Sequence, residues 1–340
     1  MGVYSYIARR VMLSLIVLLG VSILTFLLTR VVPSKPEIRW VGPRATEEQI
    51  ARAREELGLD KPLYVQYWKY ITDFVRGNWG ISIRTKQPVL RDILARLPAS
   101  LELILASMIL AVIVGLPLGI LSAAKAGSTV DHLGRLLSIA GVALPSFWLG
   151  MILQLVFAKE LGLLPLAERA DMLVLLLNPL KHITGFYLFD SLVTGNFTVF
   201  VDALKHLVLP AVTLSTYPLG LCVRMTRASL LEVLGEDYIR TARAYGTREA
   251  KVLGKYALKN ALGPVITVLA LTFAYSLAAT FLVESVFAWP GLGRYASEAI
   301  MTVDYPAIMG ITILVAFTYI ALNLLVDIVL ALLDPRIRLG

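Results

Sequence analysis

The chain has 340 residues, of which 57% are hydrophobic and 16% are charged, and its mean hydropathy is +0.74. Soluble domains are about 45–50% apolar and about 25% charged, so this composition excludes an ordinary soluble protein and indicates one embedded in a lipid bilayer. The net charge of +8 does not indicate nucleic-acid binding, because the basic residues cluster at the ends of apolar segments, where they suit an anionic membrane surface.

In chain order, six segments reach the length of about 20 apolar residues that a spanning helix needs. Each is predicted to be helical, because a lone strand leaves its backbone hydrogen-bonding groups unsatisfied in lipid. The predicted spans are residues 11–29, 103–124, 136–158, 206–223, 264–285 and 306–333. The sequence therefore predicts an all-α, polytopic membrane protein with six transmembrane helices.

Residues 1–31 are predicted to form the N-terminus and the first span. Arg9 and Arg10 precede the apolar segment, as basic residues do in a signal peptide. The segment is nevertheless long enough to span, and no small-residue cleavage site follows it. We therefore expect an uncleaved first helix that enters the membrane from the cytoplasm.

Residues 32–98 are predicted to form a small helical insert outside the membrane. Thr46 and Gln49 have the spacing of a capping box, which predicts a helix that begins there and ends at Gly58. A second, amphipathic helix is predicted over residues 63–75. Its aromatic residues recur near helical spacing, which favours packing or contact with the membrane surface over ligand binding.

Residues 99–334 are predicted to form the core that holds the remaining spans. Within this core, residues 159–205 are apolar in places but are interrupted by Asp190 and Asn196. We interpret that segment as an external loop with short interfacial helices. The lone cysteine, Cys222, is interpreted as a small buried hydrophobic residue.

Lysine and arginine residues in short loops favour the cytoplasmic side of the membrane. With six spans, the basic residues near both termini and in the loops after the second and fourth spans all fall on one side. The opposite short loop, residues 289–305, holds only Arg294. Both termini, including the tail 335–340, are therefore predicted to be cytoplasmic, in a plasma (inner) membrane.

The most informative segment is the polar loop 227–263 between the fourth and fifth spans. Gly246 is placed to end a helix in the left-handed conformation that glycine tolerates, and Thr247 is placed to cap the next helix. Residues 261–264 are predicted to turn that second helix into the fifth span. An ordinary positively charged loop would explain the basic residues, but it would not explain a helical, alanine-rich segment turned by one glycine.

This pattern resembles the cytoplasmic "EAA" loop of binding-protein-dependent ABC importer permeases, in which an alanine-rich helix, a glycine and apolar residues precede a proline. Residues 237–244, DYIRTARA, resemble the dipeptide/oligopeptide/nickel branch in particular. Other segments agree with that branch, among them RLPASLEL at 96–103, HLVLPA at 206–211 and FAWPGLG at 287–293. The resemblance extends over nearly the whole chain.

The resemblance implies a type I permease fold and a division of labour among subunits. An external solute-binding protein would deliver solute, and this chain would pair with a second, similar permease chain, as a heterodimer. Two ATPase subunits would bind ATP and Mg²⁺ and drive transport through a coupling helix. The residues expected in that helix and its turn are Asp237, Arg240, Thr241, Ala242, Arg243, Ala244, Tyr245, Gly246, Thr247 and Arg248.

The chain shows no chemistry of its own. It lacks the Gly-x4-Gly-Lys-Ser/Thr loop that cradles nucleotide phosphates, and it lacks hydrolase and zinc-protease motifs. Its histidines, His132, His182 and His206, are far apart and are interpreted as interfacial polar residues. We therefore predict that this chain is not an enzyme and has no cofactor and no metal site of its own.

Four polar residues in or near the spans are candidates for function because polar groups at membrane depth are costly. They are Gln154, Tyr275, Glu284 and Asp327. Each side chain could line a solute pathway or could pair across a helix interface, and the sequence leaves these alternatives open.

The expected function is import of oligopeptides or dipeptides as the permease subunit of an ABC importer. Oligosaccharides and nickel chelates are alternative solutes for the same machinery. An alternative of another class is a stand-alone secondary transporter or channel, which predicts an internal inverted repeat with matching broken helices. The sequence shows no second copy of the 227–263 loop, which favours the importer.

Overall fold

The computed structural model describes residues 3–31, 36–42, 44–56 and 58–333. Within these ranges the secondary structure is helical, apart from turns and one isolated antiparallel bridge between Ile81 and Pro88. The predicted all-α class is therefore confirmed.

The helices follow one another closely along the chain. The first four are α1 (Val3–Val31), α2 (Pro36–Val41), α3 (Glu47–Glu56) and α4 (Leu63–Val75). The next six are α5 (Val89–Ala124), α6 (Thr129–Ala143), α7 (Ser146–Glu160), α8 (Met172–Leu177), α9 (Tyr187–Val193) and α10 (Phe197–Leu234). The last four are α11 (Asp237–Ala244), α12 (Glu249–Val286), α13 (Leu292–Thr302) and α14 (Tyr305–Leu333). Both α7 and α12 contain a π-helical segment, at Gln154–Glu160 and Val252–Ala257.

Among the described residues, five helices are long and apolar enough to cross a membrane: α1, α5, α10, α12 and α14. The predicted third span, 136–158, is wrong as a single helix, because the chain direction bends by 105° between α6 and α7. Pro145 has no N–H and restricts the residue before it, and Leu144 is accordingly extended, with φ −75° and ψ 129°. Six spans result if α6 and α7 together make one.

The long helices extend beyond the predicted apolar spans. Helix α5 begins 14 residues before the predicted span, at Val89, and α10 extends past its predicted span at both ends. The turn predicted at 261–264 is wrong, since Pro264 lies inside α12. The apolar pattern marks only the part of a helix that needs lipid, so it does not show polar turns that continue the same helix.

Three buried apolar clusters follow the length of α5, which is roughly 54 Å at 1.5 Å per residue. The first joins Val89 to α13, and the second joins Leu103 to α10 and to Trp289 after α12. The third joins Ala123 to the end of α10, to α11 and to the start of α12. We call the end of the bundle with Val89 the insert end and the end with Ala123 the elbow end.

Helices α5 and α10 form the most extensive helix pair and approach closely through small residues. A Cβ atom on Gly119 would lie 2.6 Å from the Cβ atom of Thr226, and Gly115 faces Cys222 in the same way. Cys222 is fully buried, which confirms its interpretation as a small core residue. This close pairing makes α5 and α10 the central pair of the bundle.

The insert folds as its sequence indicates. The Gln49 N–H donates to Thr46 Oγ1 at 3.3 Å and the Thr46 N–H donates to Gln49 Oε1 at 3.0 Å, which confirms the capping box that opens α3. Helix α4 has the predicted bounds, and two of its aromatic residues, Tyr67 and Tyr70, pack on Phe26 of α1. The Tyr67 hydroxyl, for example, hydrogen-bonds with Ser22 Oγ at 2.8 Å.

The segment predicted as an external loop, 159–205, contains α8, α9 and the start of α10. A buried ion pair holds it to the bundle: the Arg169 guanidinium donates two hydrogen bonds to Glu102 Oε2, at 2.5 and 2.9 Å. The guanidinium also lies 3.9 Å from the ring centre of Tyr187. The sequence analysis missed this pair, because the two residues are 67 positions apart.

Candidate functional site: a helical elbow and buried polar groups

The elbow, residues 236–251, connects α10 to α12 through α11 and a tight turn. Gly246 has φ +75°, in the left-handed region where a Cβ atom is penalised. The Gly246 N–H donates to Arg243 O at 2.9 Å and the Thr247 N–H donates to Ala242 O at 3.2 Å. These are the two hydrogen bonds of the Schellman motif, so the predicted role of Gly246 in ending the first helix is confirmed.

An ion pair crosses this turn. Arg243 Nη2 and Nε donate to the two carboxylate oxygens of Glu249, at 2.6 and 3.1 Å. Both side chains are about half exposed, and exposed pairs contribute only about 0.2–1 kcal/mol. The pair therefore links α11 to α12 across the turn but contributes little to the stability of the fold. The predicted cap by Thr247 is wrong: Arg248 occupies the N-cap position, and its side chain makes no capping hydrogen bond.

One side chain anchors α11 to the bundle. Ile239 is fully buried, and it packs with Leu230 of α10, Val252 of α12 and Ala123 of α5 in the cluster at the elbow end. It is the buried residue of α11. A movement of α11 must therefore displace the ends of three long helices or break this contact.

The other face of the elbow is open to solvent. Tyr245 is 85% exposed, and Ala242 and Thr247 are half-buried. The remaining predicted coupling residues are all exposed, namely Asp237, Arg240, Thr241, Arg243, Ala244, Gly246 and Arg248. The structure thus brings together the ten residues that the sequence singled out, on a small basic surface with an aromatic side chain at its tip.

A buried carboxylate near the elbow was missed by the sequence analysis. Asp131, 1% exposed, accepts hydrogen bonds from Arg227 Nε at 2.6 Å and from Arg227 Nη2 at 2.9 Å. Ser122 Oγ and the Gly127 N–H also donate to this carboxylate, at 2.6 and 2.9 Å. The cluster joins α5, α6 and α10. On α10, Arg227 lies about one helical turn before Leu230, which packs on Ile239. Asp131 stands three residues after a glycine–serine turn and 96 positions from Arg227, so only the fold reveals the pair.

Glu284, a candidate from the sequence, pairs inside the protein. It is fully buried. Its Oε1 accepts from Ser100 Oγ at 2.6 Å and its Oε2 accepts from the Arg294 N–H at 3.0 Å, while Ser100 Oγ accepts from the Leu292 N–H at 2.7 Å. Ser100 and Glu284 therefore bind the free N–H groups at the start of α13, where a negative charge is favoured. This geometry makes Glu284 a cap for a helix of the insert end.

The other three candidates lie in different environments. Gln154 Nε2 donates to Leu166 O at 2.7 Å and to Val286 O at 3.1 Å, and so ties α7 to the end of α12. Tyr275 is 53% exposed, and its ring lies 5.5 Å from that of Tyr217. Asp327 falls in α14, but its side chain lies outside the described residues. The four candidates therefore do not form a single site.

Within the described residues, no three histidine, cysteine, aspartate or glutamate side chains come together as metal ligands. The described residues form an all-α membrane protein whose bundle of spans carries an exposed, glycine-turned elbow at one end. That combination is the architecture of a transport permease.

Comparison with known proteins confirms this class. Residues 115–339 match the family described as the binding-protein-dependent transport system inner membrane component. Residues 3–104 match the N-terminal domain of the same membrane components. The chain therefore belongs to the binding-protein-dependent transport permeases, and the predicted resemblance is confirmed.

The relatives include curated transport proteins of several bacteria. The chain is 43% identical over 340 residues to the probable D,D-dipeptide transport system permease protein DdpB of Escherichia coli, covering 100% of this chain and 99% of the relative. It is 41% identical to the dipeptide transport system permease protein DppB of Alkalihalophilus pseudofirmus and 39% identical to the oligopeptide transport system permease protein AppB of Bacillus subtilis. Both of these comparisons cover 98% of this chain and 99% of the relative.

Proposed function

We propose that this chain is the permease subunit of an ATP-driven importer for dipeptides or short oligopeptides. The names of the relatives support the class of solute. The observation that carries the mechanism is the anchored elbow, because Ile239 ties α11 to three helix ends while Tyr245 and its neighbours are exposed on the other side. Such an element can bind a second protein and pass its movement to the spans, a rigid-body switch.

In this proposal the elbow and both termini lie on the cytoplasmic side of the inner membrane, as the positive-inside rule predicts for the basic loops. Two ATPase subunits bind ATP and Mg²⁺, and each permease chain receives one of them on its elbow. A second, similar permease chain completes the pathway. A solute-binding protein delivers peptide at the insert end, where α13 and the Arg169-clamped loop form the surface.

Docking of the ATPase to the elbow is tested by co-purification. Tyr245→Ala and Arg248→Glu change exposed side chains whose loss leaves the buried cluster intact. We expect both variants to assemble in the membrane but to retain at least tenfold less ATPase subunit on a tag carried by this chain. Met301→Ala, at a residue 83% exposed on α13, is the matched control and should retain the wild-type amount.

The class of solute and the need for a motor are tested in proteoliposomes. The assembled complex with its binding protein should accumulate a labelled dipeptide only when ATP is present on the elbow side. Oligosaccharides and nickel chelates in excess should leave that uptake unchanged. Robust accumulation by this chain alone, without ATPase subunits, would overturn the proposal in favour of a secondary transporter, and competition by a sugar or nickel chelate would overturn the peptide assignment.

A further inference from the structure

Tyr217 of α10 and Tyr275 of α12 lie side by side, with their ring centres 5.5 Å apart. The predicted apolar spans of these two helices, 206–223 and 264–285, are centred near residues 214 and 274. At a rise of 1.5 Å per residue, Tyr217 lies about 4 Å along the helix from the centre of its span, and Tyr275 lies about 1 Å from the centre of its own. Two helices thus independently place the pair at the middle of the membrane.

Both side chains are open to the surroundings of the chain at this depth. Tyr275 is 53% exposed and Tyr217 is 37% exposed. In the described stretch 209–223 of α10, Tyr217 is the one exposed residue, because neighbouring helices cover the rest of this central helix. Neither hydroxyl forms a hydrogen bond with a described residue. We call this exposed pair, Tyr217 and Tyr275, the tyrosine window.

Lipid does not suit the tyrosine window. Tyrosine is enriched at the membrane–water interfaces, where its hydroxyl reaches water, whereas a hydroxyl in hydrocarbon has no partner and costs free energy. Helix α5 shows the kind of surface that does suit lipid, because its exposed residues between positions 105 and 121 are all apolar. They are Leu105, Ile109, Val112, Ile113, Val114, Pro117 and Leu121.

Close packing against another helix does not suit the window either. Membrane helices approach one another through small residues, and this chain follows that rule where Gly115 and Gly119 of α5 meet α10. The exposed stripe of α12 at helical spacing contains one small residue among four. Its members are Leu271, Tyr275, Ala278 and Leu282. A wide, polar space beside the window fits these side chains better than a packed helix does.

The two phenols match the chemistry of a short peptide. A tyrosine hydroxyl both donates and accepts hydrogen bonds, and each peptide unit carries one N–H donor and one C=O acceptor. The aromatic rings also attract an ammonium group through their π faces. None of these contacts depends on which side chains the peptide carries, so the window suits peptides of many sequences.

We propose that the tyrosine window faces the solute pathway and binds the peptide in transit at the middle of the membrane. The hydroxyls of Tyr217 and Tyr275 hydrogen-bond to the peptide backbone, and the second permease chain forms the opposite wall. This inference rests on the proposed import of peptides and adds two residues that position the solute. Pro218 follows Tyr217 directly and interrupts the hydrogen bonding of α10, so bending at this point changes the spacing of the pair and its grip on the peptide.

Thiol labelling of the assembled transporter tests what the window faces. Tyr217→Cys and Tyr275→Cys are each reconstituted in nanodiscs with the second permease chain and the ATPase subunits, without nucleotide or with ATP and vanadate. A permanently charged methanethiosulfonate reagent is then added. In at least one nucleotide state, both introduced thiols should react roughly tenfold faster than that of Ile113→Cys, because a charged reagent does not enter hydrocarbon.

The chain supplies its own controls for this labelling. Ile113 is 65% exposed on α5 and lies at the centre of the predicted span 103–124, so Ile113→Cys reports a lipid-facing position at the same depth. The single native cysteine, Cys222, is fully buried. Wild type should therefore take up no label and serves as the blank.

Protection by peptide locates the solute. Dialanine titrated into the Tyr275→Cys nanodiscs should slow labelling in a saturable way, and sucrose at the same concentrations should not. Adding Tyr217→Phe removes a hydroxyl that has no protein partner, so the melting temperature should stay the same. The concentration of dialanine that gives half protection should rise roughly two- to tenfold, as expected for one lost hydrogen bond. Tyr64→Phe, at a residue 75% exposed on α4, is the matched control and should leave that concentration unchanged.

The inference is overturned if Tyr217→Cys and Tyr275→Cys react no faster than Ile113→Cys in both nucleotide states, because the window then faces lipid or a packed chain. It is also overturned if dialanine gives no protection, or if Tyr217→Phe leaves the half-protecting concentration unchanged. Uptake of labelled dipeptide by the wild-type complex is measured in parallel. Uptake without reactivity at the window removes this inference and leaves the import proposal in place, whereas a lack of uptake refutes the import proposal itself.

Discussion

The anchor of the elbow permits a graded test of coupling. Ile239 is fully buried at the elbow end, and replacing it with alanine removes three carbon atoms from the cluster. At about 0.8 kcal/mol for each buried methylene, the transfer loss is roughly 2.4 kcal/mol, and the cavity left behind brings the range to about 2–5 kcal/mol. Ile239→Val removes one carbon and should cost about 0.5–1.5 kcal/mol.

These energies act on the contact between α11 and the bundle. Every 1.4 kcal/mol changes an equilibrium tenfold, so Ile239→Ala should shift the balance between attached and detached α11 by roughly a hundredfold. The docking face of the elbow is unchanged in this variant. We therefore expect the ATPase subunits still to bind and still to hydrolyse ATP, while their movement reaches the spans less often.

The assay measures solute uptake and ATP hydrolysis in the same proteoliposomes. Solute transported per ATP hydrolysed should fall strongly in Ile239→Ala and slightly in Ile239→Val. Ile16→Ala is the matched control, because Ile16 is 58% exposed on α1, and its ratio should equal that of wild type. An unchanged ratio in Ile239→Ala, or a larger loss in the valine variant than in the alanine variant, would refute the reasoning.

Three further predictions concern stability. Glu284→Gln should keep peptide uptake, and its free energy of unfolding should lie within about 1 kcal/mol of wild type, since an amide still accepts at the α13 N-terminus. Glu284→Ala should lose about 1–3 kcal/mol in thermal unfolding. Loss of uptake in a stable Gln variant would instead indicate a role in the pathway. Gly293→Ala should lower the melting temperature, because its Cβ atom would lie 2.7 Å from the Phe281 backbone, while Gly254→Ala, with open space around it, should not. Burial opposes ionisation of Asp190, yet hydrogen bonds from the Thr184 side chain and three backbone N–H groups hold the pKa of its carboxyl below the usual value. The ionised Asp190 carboxylate therefore stabilises residues 183–196 fully above about pH 4, and this stabilisation is lost as pH falls through the lowered pKa. Hydrogen exchange should detect the loss, and Asp190→Asn should abolish its dependence on pH.

Local patterns predicted local structure well in this chain. The capping box at Thr46, the amphipathic helix at 63–75 and the helix end at Gly246 were all recognisable, because each depends on a few neighbouring residues. Composition indicated the lipid environment in the same direct way. The family resemblance rests on motifs of this local kind.

The polar contacts that hold the bundle could not be predicted, because they join residues far apart in sequence. Asp131 pairs with Arg227 across 96 positions, and Glu284 reaches Ser100 across 184. A single sequence marks such residues as costly at membrane depth but does not show the partner that offsets the cost. The break at Pro145 was visible in the sequence, yet the apolar pattern on both sides of it suggested one continuous span.

The arrangement of α10 explains how an event at the elbow reaches the opposite end of the bundle. Its 38 residues form one helix of roughly 57 Å. At one end Leu230 packs on Ile239. At the other end the Asp202 carboxylate accepts from the Asp171 N–H at 2.7 Å, which fixes the loop held by the Arg169–Glu102 ion pair to the same helix. Pro210 and Pro218 interrupt the hydrogen bonding between these ends, so bending of α10 should concentrate there. A displacement of the elbow is therefore either carried to the loop by a nearly rigid helix or taken up at two defined positions in its middle.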